Sequence, residues 1–259
     1  MRRMSRLCSA RPLLAAVATI VLATLCIAQA SAGPPYLTDD PVPTDTRNWE
    51  IYTGLTYDIE ANPNAQSVGT LAQFAEFNYG ALPNVQVSVS AERDVHSQSG
   101  AGSMPTWQTT FGVKTRFISE TDTRPQVAFY PSISSATDDH ATTLELPLWM
   151  QKSRGPWTVF GGGGVAIERG PDAPTGTFFG AALNRDLSVG TSLGIEVFHE
   201  QLLTYARESN TITNVGVIGQ LGATHALVAS FGRSVGAGTP LNAYAAYEFM
   251  LGPKASADR

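Results

Sequence analysis

From about residue 48 onward, apolar and polar side chains alternate with a period of two, and this pattern limits the possible folds more than any other feature. In VQVSVSAE (85–92), Val85, Val87, Val89 and Ala91 share one face, while Gln86, Ser88, Ser90 and Glu92 share the other. Trp49, Ile51, Thr53, Leu55, Tyr57 and Ile59 oppose Glu50, Tyr52, Gly54, Thr56 and Asp58 in the same way. Further along, Trp107, Phe111, Val113 and Phe117 oppose Gln108, Gly112, Lys114 and Arg116. Leu144, Leu146, Leu148 and Met150 oppose Thr143, Glu145, Pro147 and Gln151, and Tyr247 and Phe249 oppose Tyr244 and Glu248. Successive side chains of a strand point to opposite faces, so this is a chain of strands, each with one apolar face. The segments number about twelve: 48–60, 68–80, 85–94, 105–119, 125–136, 141–152, 156–168, 176–185, 189–200, 210–222, 225–235 and 240–251. Gln73 interrupts the apolar face of the second.

The links between the segments and the content of the polar faces indicate which solvent each face meets. Short links, ALPN (81–84), KSRGP (152–156), RDLS (185–188) and GATH (222–225), alternate with mostly longer ones such as EANPNAQSVG (60–69) and EQLLTYARESN (200–210). SETDTRP (119–125) is a rather long member of the short set. An up-and-down membrane barrel puts its short turns at one end and its long loops at the other. A soluble sandwich needs an exterior of roughly 25–35% charged residues. Only 15% of this chain is charged, and the polar faces hold mainly Ser, Thr, Gly, Gln and Asn. The apolar faces are therefore expected to meet lipid and the polar faces to line a lumen. Trp49, Tyr57, Trp107, Phe117, Trp157 and Phe249 lie near strand ends, where aromatic girdles form at the lipid–water boundaries. Each strand has the roughly 9–11 residues needed to cross an apolar band. The expected fold is all-β, an antiparallel up-and-down transmembrane β-barrel of about twelve strands.

The ends of the chain suggest an exported protein. Arg2, Arg3, Arg6 and Arg11 precede an apolar run from Leu13 to Ile27, followed by the small residues Ala28, Ala30, Ser31 and Ala32. This pattern predicts a cleaved signal peptide at 1–32 and hence export, and a β-barrel that is exported is expected in the bacterial outer membrane. Cys8 and Cys26 both lie within it, so the mature chain has no disulfide to hold it together. Removing 1–32 takes away four arginines and no acids. Thirteen basic residues then stand against 22 acidic ones, a formal charge of −9, which suits neither nucleic acid nor an anionic surface. Residues 33–47, rich in proline and acids, form a leader that lies in the periplasm or folds into the lumen. The barrel is expected over 48–252, with a tail at 253–259.

Several stretches resemble one family. GPPYLTDDPVPTDTRNWEIY (33–52), EFNYGALPNVQV (76–87), ELPLWMQKSRGPWTVFGGGG (145–164), GIEVFHE (194–200) and NVGVIGQLGATHALVASFGRSV (214–235) are similar to the meta-pathway phenol-degradation family of Gram-negative outer-membrane proteins, commonly described as transporters. The resemblance implies an outer-membrane barrel that admits hydrophobic or aromatic small molecules. The chain departs from the usual barrel ending, because Phe249 is followed by MLGPKASADR.

Glu92, Lys114, Arg116, Glu145, Glu168, Glu196 and Glu248 fall on polar faces and are the candidate lumen-lining charges. Isolated buried charges are costly, so these residues are expected to pair or to keep water. They form either a mildly acidic constriction that selects solutes or a salt-bridged plug that stiffens the wall. GGGG (161–164) lacks the lysine and helix of a phosphate cradle, so it is read as glycines making room in a curved wall. Asp138, Asp139 and His140 make an acidic turn with too few oxygens for calcium. The four histidines, His96, His140, His199 and His225, have no metal-binding spacing. A lipid hydrolase using His199 and Ser209 is a further alternative, for which the sequence offers no oxyanion donor.

The leading expectation is a non-enzymatic channel for passive movement of small molecules, with a sealed structural or surface-interaction barrel as the alternative. No catalytic residue, metal or cofactor is expected, because diffusion down a gradient needs only an accessible lumen with weak contacts. The expected partners are outer-membrane lipid, a small-molecule solute and the outer-membrane assembly machinery.

Overall fold

The computed structural model describes residues 35–60, 68–97, 106–137, 142–169, 175–202, 209–235 and 241–253. The region read as a signal peptide, most of the longer links, and Asp138, Asp139 and His140 lie outside them. The described strands are β1 (Trp49–Glu60), β2 (Val68–Leu82), β3 (Val85–Ser97), β4 (Trp107–Ile118), β5 (Gln126–Phe129), β6 (Ser132–Ala136) and β7 (Thr142–Arg154). They continue with β8 (Trp157–Arg169), β9 (Thr175–Ser188), β10 (Thr191–Leu202), β11 (Ser209–Gln220), β12 (His225–Ser234) and β13 (Leu241–Leu251). Every pairing between named strands is antiparallel. β13 returns to pair with β1 from Trp49↔Leu251 to Ile59↔Leu241, so the sheet closes on itself. β5 and β6 both lie between β4 and β7 and make one interrupted stave, which gives a barrel of twelve staves. Among the described residues, no helix is long and apolar enough to cross a membrane.

The interrupted stave corrects the continuous strand expected over 125–136. Pro131 has no amide hydrogen for the ladder, so regular pairing stops at Phe129 and resumes at Ser132. The wall remains bonded across the gap, because the Tyr130 amide donates to Pro147 O at 3.1 Å and the Val113 amide donates to Pro131 O at 3.0 Å. The long turn SETDTRP closes through backbone bonds between Thr121 and Arg124. It is pinned to the neighbouring turn by Lys152 Nζ, 3.0 Å from Glu120 Oε1.

The alternation follows the wall, with the apolar phase outward. Val89 is 44% exposed, whereas Gln86 and Ser88 on the opposite phase are 3% and 4% exposed. Trp49, Trp107, Phe117 and Trp157 stand outward at strand ends, and Arg93 and Arg185 lie over the Trp107 and Trp157 rings at 5.4 and 5.1 Å. Gln73 points outward with the apolar phase, paired with Leu55 and Arg93. The inward phase packs unevenly. On one side Tyr52, Phe74, Ala226, Val228 and Ala246 form a buried apolar cluster, with Phe74 stacked on Tyr244 at 5.3 Å. Opposite them, around β5 to β10, the wall encloses open space.

Candidate functional site

Residues 35–47 run through the interior and bond to the wall in several directions. The Tyr36 hydroxyl donates to Asn184 Oδ1 on β9 at 2.9 Å. The Leu37 and Thr38 amides donate to the Glu196 carboxylate on β10 at 3.3 and 2.5 Å. Asp39 and Asp40 face Lys114 on β4, with Nζ 2.9 Å from Asp39 Oδ2 and 3.9 Å from Asp40 Oδ1. Thr44 reaches Gln86 on β3 and Glu50 on β1, and Thr46 forms a parallel bridge with Gly80 on β2. Prolines lack the amide hydrogen that a ladder needs, while the carboxylates, hydroxyls and free amides of the residues between them can meet the polar inner wall. Thr38, Pro35 and Pro41 are fully buried as a result.

Glycines on the inner wall make this close approach possible. A Cβ at Gly180 would lie 1.9 Å from Thr38 Oγ1, and one at Gly216 would lie 2.4 Å from Tyr36 Cε1. Both distances are shorter than a carbon can tolerate, so no larger residue fits while the segment is seated. GGGG (161–164) lies in mid-strand in β8, where Gly162 pairs with the buried Trp149.

The candidate charges fall into two tiers. Nearer the short turns, Lys114 is buried, and its carboxylate partners come from the 35–47 segment. Arg116 sits at the turn end, donating to Asn84 Oδ1 at 3.0 and 2.6 Å and to Gln126 Oε1 at 3.0 Å. Glu196 accepts the two segment amides and Asn214 Nδ2 and is 2% exposed. Glu248 is wholly buried opposite Tyr52, within electrostatic reach of Glu50. Nearer the long links, Glu92 lies within electrostatic reach of Asp58 and Asp94, and Glu145 and Glu168 are half-buried on β7 and β8. Burial pushes the Asp40 carboxyl up from 3.8 to about 7. Lys114 pulls against that shift, Asp39 adds to it, the Val42 amide opposes it and Glu50 adds to it. Burial, followed by the charge of Glu196, also raises Tyr36 and keeps its phenol protonated.

Beside the segment lies a cavity of about 430 Å³. Leu37 and Asp39 form part of its lining, as do Tyr130, Trp149, Phe178, Phe198, Glu145 and Glu200 on the wall. The Phe178 ring is 6.2 Å from Trp149 and 6.1 Å from Phe198, so the three form a ladder. Sequence reasoning found Glu145 but missed Asp39, Trp149 and both phenylalanines. Trp149 and Phe198 break the polar phase of their strands, and that is the one signal that would have marked them. His199 shows no nucleophile–base arrangement with Ser209: its Nδ1 is 2.8 Å from Thr211 Oγ1, while Ser209 pairs with Gln201 two residue pairs along the ladder.

A closed, even-staved antiparallel sheet whose apolar phase faces outward is the architecture of outer-membrane β-barrels. Solved structures of that class match it. The COG4313 outer membrane channel from Pseudomonas putida F1 superposes with a TM-score of 0.63 at 13% identity, covering 81% of this chain and 97% of that one. The KdgM porin, solved in complex with disordered oligogalacturonate, gives 0.57 at 8% identity, covering 78% and 98%. The translocator domain of autotransporter NalP from Neisseria meningitidis gives 0.56 at 11% identity, covering 92% and 97%. At these identities the likeness is one of fold. No family model matches the chain, and no curated protein does.

Proposed function

We propose that this protein is an outer-membrane channel for passive passage of small molecules with apolar or aromatic parts, narrowed from within by residues 35–47. The observation that carries this reading is the 430 Å³ cavity inside the barrel, walled on one side by Trp149, Phe178 and Phe198 and floored by Leu37 and Asp39. Binding cavities of roughly 300–1,000 Å³ hold small organic ligands. The aromatic ladder offers a solute contacts that are weak and multiple, as conduction requires. The likeness of the barrel to channels and porins supports the reading, as do the stretches resembling the meta-pathway phenol-degradation family. Lys114, Glu196 and Glu248 would hold the narrow tier, while Glu92, Glu145 and Glu168 would line the wider one.

A sealed barrel is the second reading, favoured by the complete burial of Thr38, Pro35 and Pro41 against the wall. Planar-bilayer recordings separate the two, together with liposome swelling in graded sugars, aromatic acids and aromatic amines. A channel carries current and admits the smaller solutes. If no current flows and no solute enters, the barrel is sealed.

A further inference from the structure

The lining of the cavity has a charge preference, and this inference rests on the channel reading above. Asp39, Glu145 and Glu200 contribute carboxylates to the lining, and among the described residues no lysine, arginine or histidine does. Asp39 is already held by Lys114, whose ammonium also lies 5.0 Å over the face of the Tyr130 ring. Glu145 accepts only a long bond from Ser132 Oγ, at 3.4 Å, and Glu200 accepts one from Asn210 Nδ2 at 3.2 Å. These two carboxylates therefore keep acceptor capacity, and they stand beside the Trp149, Phe178 and Phe198 rings.

The surrounding wall carries the same sign. Asp58, Glu92, Asp94 and Glu168 lie on the inward phase toward the long links. The inward cations among the described residues, Lys114 and Arg116, both sit nearer the short turns, engaged with Asp39 and with Asn84 and Gln126. A cleft lined by one sign of charge concentrates the opposite sign.

We infer that the cavity is a binding site for small organic cations, an amine or quaternary ammonium on an aromatic or apolar body. The ammonium is placed toward Glu145 and Glu200, and the body lies along the Trp149–Phe178–Phe198 ladder. Aromatic faces attract a cation through the ring quadrupole, and the attraction strengthens where water is excluded. A bare metal ion fits poorly, since calcium takes six to eight oxygens and no group of three or more His, Cys, Asp or Glu among the described residues is arranged to hold one. An organic anion would face Glu145 and Glu200, with no cation among the described lining residues to receive it.

The test uses the full chain folded in detergent, with calorimetric titration of three probes sharing one ring: 2-phenylethylammonium, 2-phenylethanol and phenylacetate. The cation is expected to bind about tenfold tighter than the neutral alcohol, with phenylacetate weakest and the difference shrinking as salt rises. Glu145→Gln should remove most of the preference for the cation while leaving the alcohol unchanged, and Phe178→Ala should weaken all three. Glu200→Gln serves as a second charge variant, and heat-modifiable gel migration confirms that each variant is folded. Equal affinity for the three probes, preference for the anion, or no binding of the cation by the folded chain overturns the inference. Swelling of liposomes in the same three compounds keeps the two readings apart. Entry without charge preference sinks the cation site and leaves the channel, whereas tight cation binding without entry sinks the channel and leaves the site.

Discussion

The two tiers of the lumen are built from the same strands but filled by opposite means. Nearer the short turns, a segment of the chain itself occupies the interior, and almost every charge there has a partner. Glu196 holds two amides and Lys114 holds Asp39 and Asp40. Nearer the long links, the wall surrounds open space, and aromatic rings and the carboxylates of Glu145 and Glu200 line it. The same kind of inner wall is filled in one tier and leaves space in the other. What fills it is lined up by hydrogen bonds to residues scattered over six strands.

Removing residues 35–45 should have the largest effect. Single-channel conductance is expected to rise several-fold while the barrel still folds, because the strands close through β1 and β13 without the segment. An unchanged conductance would mean that the tier is narrow for another reason. On the outer wall, Val89→Arg puts a charge on a mid-strand position that faces outward and should cost about 2–4 kcal/mol of folding into lipid vesicles. The same change at Gln86 enters the lumen and should leave vesicle folding much closer to wild type, although it disturbs the contact to Thr44. Glu196→Ala leaves the Leu37 and Thr38 amides without their acceptor, so seating of the segment should weaken by about 1–3 kcal/mol. That loss would be read as faster protease cleavage near residue 38 and larger current.

The smallest effect expected is that of pH. Asp40 is raised from 3.8 to about 7 in the seated segment. The seated form therefore binds a proton that a released segment would give up, and seating weakens as pH rises from about 4 to about 7. Current should increase modestly across that window and be flat outside it. The change in current is modest because the segment is also held through Asn184, Glu196 and Gln86, bonds that this proton does not touch. Asp40→Asn should abolish the slope between pH 4 and 7, and a slope that persists in the variant would assign the effect to another group.

The barrel wall was almost wholly legible in the sequence. Period-two alternation placed the strands to within a few residues, and the faces of β1, β3, β4 and β13 came out as read, because a strand's side-chain direction is a local property of the backbone. The break at Tyr130–Pro131 had its signal in the proline. The site was legible only in part. Lys114 and Glu196 were marked as inward charges, but their partners lie 75 and 158 residues away in the chain, and nothing local announces such a pair. Trp149 and Phe198 are apolar residues on the polar phase of their strands, and the structure places both on the cavity wall.

The sequence by itself therefore determined which side of the wall is oily and how many staves it has, since both follow from alternation and turn spacing along neighbouring residues. Only the tertiary structure decided that residues 35–47 lie inside, that Gly180 and Gly216 are small to admit them, and that aromatic rings and carboxylates gather around one cavity. Those outcomes depend on closure of the sheet, which brings opposite walls face to face across the lumen.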